Sequence, residues 1–595
     1  MTRDERRIHG VHYTTEPLVL RVLHPLFLDD LETQLLQAST IPELHAFLQH
    51  LGSLTFLDPA CGTGNFLVVA LRALMNLESR ARERMFGDFV QMPKFVGLHQ
   101  FFGIERDATA ANVALENLSE AARMAGYFDA EQARIVVGNA LRMDWNEVLP
   151  AERASFVFGN PPFVGMAWMT AEQREDRNRA FAFAHVAGLR LGRLDYAASF
   201  FAKSLEYGVN KPLRFAYVAT NSICQGEHPR SLGPLLAKYG MHVDFAYRPF
   251  RWAADGAQAA NVHVVIVAFS GISQLPKRIF EVGRNNEKPI ETRVDNINWY
   301  LTSGPNVFPA KRRKPLRAGY PMAKKGSQPT DGGHLLVAAG ELDEVLADPI
   351  AAKYVRRYVQ ATEFLWNEVR HCLWLVGASA EEMEASRVLR ERLAQVRALR
   401  EASRTRRVRK CANMPGLFTQ IRQPKERYLA LPEVSSAKRS WIPAAFLEPD
   451  VIAGNKLIIV PRADMWHFGM LQSSMFRAWV QAMAGRLKSD ISISPDLTYS
   501  TFPFPDVDDT SRARVIRAAD EVLQVRTEFV GKSLGELYAP RKMPQALVEA
   551  HGALDREVDG LFGNGFVGEE GRLGVLLGRY EDLAQKLGDR TQLGI

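Results

Sequence analysis

Leu54-Thr55-Phe56-Leu57-Asp58-Pro59-Ala60-Cys61-Gly62-Thr63-Gly64-Asn65-Phe66 is the stretch on which the reading of this chain turns. Residues 54–57 form an apolar run of strand length that ends at Asp58. The turn from 59 to 64 then opens a helix at Asn65 that continues through Phe66, Leu67, Val68, Val69 and Leu71. Gly62 and Gly64 let the backbone bend tightly and approach a ligand closely, with helix N–H groups nearby. The turn lacks a phosphate-loop lysine and does not have G-x-G-x-x-G spacing, so nothing in it demands a phosphate.

On both sides of this stretch, short apolar runs alternate with helical patterns from 51 to about 269, which predicts a doubly wound α/β sheet. Ligands bind such sheets in the crevice beyond the carboxyl ends of the strands. Phe101-Phe102-Gly103-Ile104 ends at Glu105, whose carboxylate suits both hydroxyls of a ribose. The strand at 134–138 ends at Asn139, followed by Ala140; the asparagine amide offers a donor and an acceptor to an adenine edge. Further strands are expected at 214–219, 242–247 and 262–269. Thr220-Asn221-Ser222 after the first of these could line a pocket or cap the following helix.

Ser155-Phe156-Val157-Phe158 is a fourth strand, and it delivers Asn160-Pro161-Pro162-Phe163 to the same edge. By itself this tetrapeptide also reads as a simple strand-to-loop turn. Its residue types nevertheless suit amine activation. The lone pair of a base amino group is delocalised into the ring, so the group is a poor nucleophile. The Asn160 side-chain oxygen and the Pro161 carbonyl can each accept one of its N–H bonds, which favours a tetrahedral nitrogen aimed at a methyl donor. The paired prolines stiffen the loop, and Phe163 offers a flat face to a flipped base, a stack worth about 1–3 kcal/mol. With the upstream turn, the tetrapeptide points to methylation of an exocyclic amine. Cytosine C5 chemistry is excluded, because no cysteine follows a proline.

The 595 residues are too many for one core, and 47% apolar and 24% charged residues are ordinary for a globular protein. No apolar run is long enough to span a membrane, and the charged N-terminus does not read as a signal peptide. Cysteines 61, 224, 372 and 411 form no C-x-x-C pair, which argues for reduced thiols in the cytoplasm and against a metal site. Net charge is +7, and residues 271–440 hold 31 Lys and Arg against 18 Asp and Glu. The rest of the chain is therefore slightly acidic, with 43 against 49. A basic central third fits a polyanion-binding domain, although a solvated surface has the same composition.

Lys311-Arg312-Arg313-Lys314 and the run at 404–410, which holds Arg406 and Arg407, are suited to phosphates. Lys438, Arg439, Arg486 and Lys488 are candidates for reading base edges. A helix is expected from 381 to 403, with Val388, Leu389, Leu393, Val396 and Leu399 on its apolar stripe. From 506 onward the pattern is helical; Leu547, His551, Leu554, Val558 and Leu561 share a face that ends at Gly563, and His551 reads as core.

These residues resemble amino-directed DNA methyltransferases of the class I S-adenosylmethionine-dependent fold, with motifs in γ-class order. His12-Tyr13-Thr14-Thr15-Glu16-Pro17 is similar to the motif that family places around the methionine moiety. Read without the family, Thr15 is equally an N-cap with Pro17 in the first helical turn. Asn221 to Glu227, Phe250-Arg251-Trp252, Gly485 to Asp490, Thr501-Phe502-Pro503-Phe504-Pro505 and Leu537-Tyr538-Ala539-Pro540 look more specifically like MmeI-type (type IIL) restriction-modification proteins. The resemblance runs from about Gly10 to Gly563.

It implies an N-terminal helical segment (1–50), a Rossmann-like catalytic domain (51–272), an α+β target-recognition domain (290–503) and a helical C-terminal domain (504–595). It implies S-adenosylmethionine held by Tyr13, Thr14, Thr15, Asp58, Pro59, Ala60, Gly62, Gly64, Asn65, Phe66, Glu105, Asn139, Ala140 and Asn160. Asn160, Pro161, Pro162 and Phe163 would be catalytic, and Arg251 joins the expected contacts to double-stranded DNA. The expected activity is site-specific adenine-N6 methylation in restriction-modification or phage defence.

One departure is that MmeI-type proteins begin with a nuclease domain, whereas this sequence starts at the tyrosine motif. No Asp-x-Lys or Glu-x-Lys occurs in it, and Gln423-Pro424-Lys425 carries a proline unsuited to a buried catalytic strand. A modification enzyme acting alone, or beside a separately encoded nuclease or defence subunit, is therefore expected. RNA and protein-glutamine methyltransferases share the tetrapeptide and remain alternatives; so does a cytosine-N4 enzyme, although the resemblance prefers adenine, since cytosine-N4 enzymes more often have serine at the Asn160 position. A non-catalytic DNA-binding subunit is another, although it would not need Asp58, Glu105, Asn139 and Asn160.

Overall fold

Phe56 and Leu57 face opposite sides of one sheet, and each anchors a separate hydrophobic core. A computed structural model describes residues 15–86, 94–127, 132–184, 191–252, 262–272, 275–283, 288–487, 490–563 and 565–588. Tyr13, Thr14 and Lys488 lie outside the described residues. The sheet contains β1 (Phe56–Asp58), β2 (Phe101–Glu105), β3 (Arg134–Val137), β4 (Phe156–Gly159) and β5 (Arg214–Thr220). It continues with β6 (His242–Trp252), β7 (Val262–Ser270), β8 (Lys277–Glu281) and β9 (Ile290–Val294), in the order 3-2-1-4-5-7-6-8-9. Strands 3, 2, 1, 4 and 5 are mutually parallel, and β7 runs antiparallel to both β5 and β6. The order reverses at β1, between β2 and β4, and a ligand crevice is expected there.

Helices cover both faces, which is why the central strands read as unbroken apolar runs. Helices α1 (Glu16–Leu23), α2 (Ile41–Ser53), α3 (Asn65–Phe86) and α4 (Ala108–Met124) supply the core around Phe56, whose ring lies 5.2 Å from Phe101. Helices α5 (Ala171–Ala180), α6 (Ala198–Gly208) and α7 (Glu227–Lys238) lie on the other side; α6 and α7 give Phe201, Leu205, Leu232 and Leu235 to the core around Leu57. Local chemistry sets the helix starts: Thr40 and Glu43 form a capping box on α2, and the Asp107 carboxylate accepts the N–H groups of Thr109 and Ala110 on α4.

The strand expected at 242–247 runs on to Trp252, with irregularities in its pairing near Asp244 and between Tyr247 and Phe250. Strands β8 and β9 extend the sheet beyond the last strand anticipated from the sequence. Lys277 hides β8: it reads as polar yet is buried, 3.7 Å from the buried Asp244 carboxylate. The chain divides into two compact units at residue 308.

The second unit carries small sheets and a helical end. One sheet runs Lys324–Lys325, Leu457–Pro461, Tyr428–Pro432, Ala445–Leu447, and another contains Val355–Val359 and His371–Leu373. The helix expected from 381 to 403 is in fact two, Ala380–Ala385 and α8 (Arg387–Glu401), broken at Ser386, whose hydroxyl caps Leu389 N–H and donates to Asp348 at 2.6 Å. Val388, Leu389, Leu393 and Val396 are buried on α8, while Leu399 is exposed and leaves the stripe. The end of the unit is helical, with α9 (Asp509–Glu528), α10 (Gln545–Gly560) and α11 (Gly568–Lys586). On α10, His551 is fully buried, stacked on Trp441 and hydrogen-bonded to the Tyr538 hydroxyl at 2.7 Å, so it is a core residue.

Candidate active site

Asp58 ends β1, Glu105 ends β2, Asn139 follows β3 by two residues, and Asn160 follows β4 directly. Parallel pairing brings all four to one edge of the sheet. The turn after β1 is held by its own backbone: Cys61 N–H donates to the Ile104 carbonyl at 3.1 Å, and Gly64 N–H to the Cys61 carbonyl at 2.8 Å. Gly62 and Gly64 have φ of +53° and +83°, a region that favours glycine. Among the described residues, no atom stands within 4 Å of where a Cβ on Gly62 would point.

Two carboxylates organise the edge. Glu105 accepts Gly62 N–H at 2.9 Å on one oxygen and Asp107 N–H at 2.9 Å on the other, which leaves acceptor capacity on both. Asp58 is buried and accepts Ala60 N–H at 3.0 Å. Burial pushes its carboxyl up to about 8; the Ala60 N–H works against the rise and the charge of Glu105 adds to it. A Cβ on Gly159 would run into the Asp58 carboxylate, so the residue before Asn160 must be small. The cofactor-type turn and the tetrapeptide are thus packed against each other.

Asn160 is half-buried, Pro161 is buried, and Phe163 is half-buried and packed against the core. The Pro162 carbonyl accepts Val164 N–H at 3.2 Å, whereas that of Pro161 accepts none among the described residues. Asn139 is partly engaged within the protein. Its oxygen accepts Leu141 N–H at 3.0 Å and its amide donates to Asp176 at 3.0 Å, so one donor and one acceptor are already spent inside the protein. Thr15 occupies the N-cap position of α1, yet its side chain makes no capping bond.

Thr220 stands at the N-cap of the short helix Asn221–Cys224, and its side chain makes no capping bond; Thr220 and Ser222 are joined to each other. Their hydroxyls pair at 2.6 Å, and Ser222 donates to Asp195. Asp195, Tyr196, Asp176 and His228 were not anticipated from the sequence; each is a lone polar residue with no motif spacing around it.

The basic candidates separate by environment. Arg251 on β6, Arg313, Arg406, Arg407 and Lys438 are exposed. Arg312 is half-buried and donates to the Lys314 carbonyl at 2.9 Å. Arg486 is half-buried, with its guanidinium on the Gln481 carbonyl at 3.1 Å. Arg439 differs from expectation: it is buried and donates to the Tyr538 carbonyl at 3.3 Å, so it braces the interior of the second unit instead of facing a groove. Among the described residues no cluster suits a metal, and no helix is long and apolar enough to cross a membrane.

Comparison with known proteins is consistent along the chain. Family models described as the MmeI DNA-methyltransferase domain, target recognition domain and C-terminal domain match residues 34–281, 303–506 and 507–588. DNA methyltransferase A of Bacillus subtilis (strain 168) is 32% identical over 607 residues, spanning 98% of this chain and 68% of that protein. The structure of the type IIL restriction-modification enzyme MmeI in complex with DNA is similar with a TM-score of 0.79 and 35% identity, covering 98% of this chain and 80% of that one.

Proposed function

Because this chain belongs to the MmeI family of restriction-modification DNA methyltransferases, we propose that it methylates the N6 amino group of adenine at a specific sequence in duplex DNA. The observation that carries the reading is the packing of Gly159 against Asp58, which joins an amine-activating loop to a nucleoside-type turn at the sheet's switch point.

S-adenosylmethionine fits this edge, and when bound it supplies an electrophilic methyl group on a sulfonium. The fit rests on the glycine turn, where Gly62 at φ +53° carries no side chain to block a ligand, and on the remaining acceptor capacity of Glu105, which suits two ribose hydroxyls. Asp58 places a carboxyl beneath the turn, and Asn65 and Phe66 begin the helix that closes it. Tyr13, Thr14 and Thr15 belong to the same proposed cofactor set, with Ala140 beside Asn139.

Asn160 and the Pro161 carbonyl accept the two amino N–H bonds of the target base, so its lone pair turns away from the ring plane. Their contribution is positioning and polar stabilisation, since the rigid Pro161-Pro162 pair fixes the acceptors before the base arrives. Phe163 stacks on the extruded base. Arg312, Arg313, Arg406 and Arg407 take phosphates, while Arg251, Lys438, Arg486 and Lys488 remain candidates for contacts to the duplex. Arg439 is assigned to structure instead. We place the activity in the cytoplasm, in restriction-modification or phage defence, acting alone or beside a nuclease or defence subunit.

Incubation of the purified chain with labelled S-adenosylmethionine and unmodified genomic DNA tests the reading. Digestion to nucleosides should yield labelled N6-methyl-2′-deoxyadenosine, and single-molecule sequencing should place it in one motif. Label in N4-methylcytosine, in RNA or in protein, or no label at all, would overturn it.

A further inference from the structure

Asp195 and Tyr196 belong to neither motif, yet they tie together the segments that flank both. The Asp195 carboxylate accepts Met166 N–H at 3.3 Å on one oxygen, three residues beyond Phe163, and the Ser222 hydroxyl on the other. Its own N–H donates to His228 Nε2 at 2.9 Å, at the start of α7. The next residue, Tyr196, donates its N–H to the Val164 carbonyl at 3.0 Å. Its hydroxyl donates at 2.9 Å to Oδ2 of the fully buried Asp176, the same oxygen that holds the Asn139 amide at 3.0 Å. Two adjacent residues therefore connect the chain just after the tetrapeptide, the carboxyl end of β5 and the carboxyl end of β3.

The arrangement has a direct physical consequence. Residues 164–168 form no regular element apart from a turn, so no strand or helix ladder holds them. The Asp195 carboxylate and the Tyr196 backbone N–H supply hydrogen bonds to this segment, at Met166 and Val164. A misplacement of about 1 Å at a reacting centre costs roughly 100-fold in rate. We propose that Asp195, assisted by Tyr196, is a positioning residue that fixes where the 160–163 loop stands relative to the cofactor edge. It acts through Met166 and Val164 and does not touch the reacting atoms. The inference rests on the reading of 160–163 as the amine-activating loop.

The test is steady-state methyl transfer by the full chain to unmodified genomic DNA, comparing wild type with Asp195→Ala and Asp195→Asn and recording thermal midpoints. The asparagine keeps an acceptor for Met166 N–H and a group that can face the Ser222 hydroxyl. Asp195→Ala is expected to lower kcat by about 30-fold or more with KM for S-adenosylmethionine within about threefold of wild type. Asp195→Asn is expected to stay within about threefold of wild type in kcat. Wild-type turnover by Asp195→Ala would overturn the inference. So would equal losses in Asp195→Asn and Asp195→Ala, which would mean that the charge itself acts. A fall in kcat matched by a fall in cofactor binding and thermal midpoint would also overturn it, leaving only a structural role. If Asp195→Ala does not fold, Ser222→Ala replaces it, with a loss in kcat of about 3- to 10-fold expected and none overturning the idea. Absence of transfer by wild type would sink the functional reading and this inference together. Transfer by wild type and by Asp195→Ala alike sinks the inference alone.

Discussion

Gly159 lies so close to Asp58 that the carboxylate occupies the space a side chain at 159 would need. The last residue of β4 and the last of β1 are thus one packing unit beneath two different motifs.

Gly159→Ala forces a methyl group into the Asp58 carboxylate. Overpacking of this kind costs about 1–3 kcal/mol, and here the displaced atoms belong to the cofactor edge. We expect a lower thermal midpoint and at least about a tenfold weaker affinity for S-adenosylmethionine by calorimetry. Wild-type affinity would mean that the two motifs are not mechanically joined.

Asn160→Ala removes one preorganised acceptor and should lower kcat by about 100- to 1,000-fold while duplex binding survives. Phe163→Ala should weaken engagement of the extruded base by about 1–3 kcal/mol and leave affinity for non-specific duplex unchanged. Filter binding and turnover, measured side by side, separate the two.

Asp58 confers a pH dependence of definite sign. Its carboxyl is held at about 8 in the folded chain against an ordinary 3.8, chiefly by burial. A carboxyl raised on folding stabilises most below its ordinary value, and that contribution is lost as pH rises through about 8. The cofactor-free wild type should therefore lose stability relative to Asp58→Asn between pH 4 and pH 8. Urea midpoints of the two proteins across that range check this, and a constant difference would contradict it.

Salt dependence should distinguish exposed arginines from buried ones. Arg406→Ala and Arg407→Ala should each reduce the slope of log affinity against log salt by about 1, across all DNA sequences. Arg439→Ala should leave that slope unchanged and lower the unfolding midpoint, because its guanidinium serves the Tyr538 carbonyl. Binding titrations at several salt concentrations, paired with thermal melts, decide the assignment.

Arg400 is fully buried at the end of α8 and donates to five backbone carbonyls, those of Pro329, Thr330, Cys411, Met414 and Leu417. Arg400→Met would remove the guanidinium from all five; the Pro329, Cys411 and Met414 carbonyls keep a backbone N–H, while those of Thr330 and Leu417 keep none among the described residues, at about 1–3 kcal/mol for each one left unsatisfied. Arg400→Lys, with three N–H donors, should recover only part of that loss. Urea unfolding is expected to rank them wild type, lysine, methionine; a methionine variant as stable as wild type would refute the account.

Much of the methyltransferase unit was legible in the sequence, because strand length, glycine turns and proline pairs act over ten residues or fewer. The ends of β1 at Asp58, β2 at Glu105 and β4 just before Asn160 follow from that local chemistry. Arg439 and Asn139 were harder to place, since exposed and buried forms of either residue have the same neighbours in sequence.

By itself, the sequence determined which residues reach the carboxyl edge of a parallel sheet and which segments carry positive charge. Only the tertiary structure decided that Asn139 spends part of its amide on Asp176, that Arg439 turns inward, and that Asp195 grips Met166 and Ser222. Periodicity and turn propensity are properties of adjacent residues. A hydrogen bond between residues 27 to 99 positions apart depends on how separate elements pack, and no local pattern encodes it.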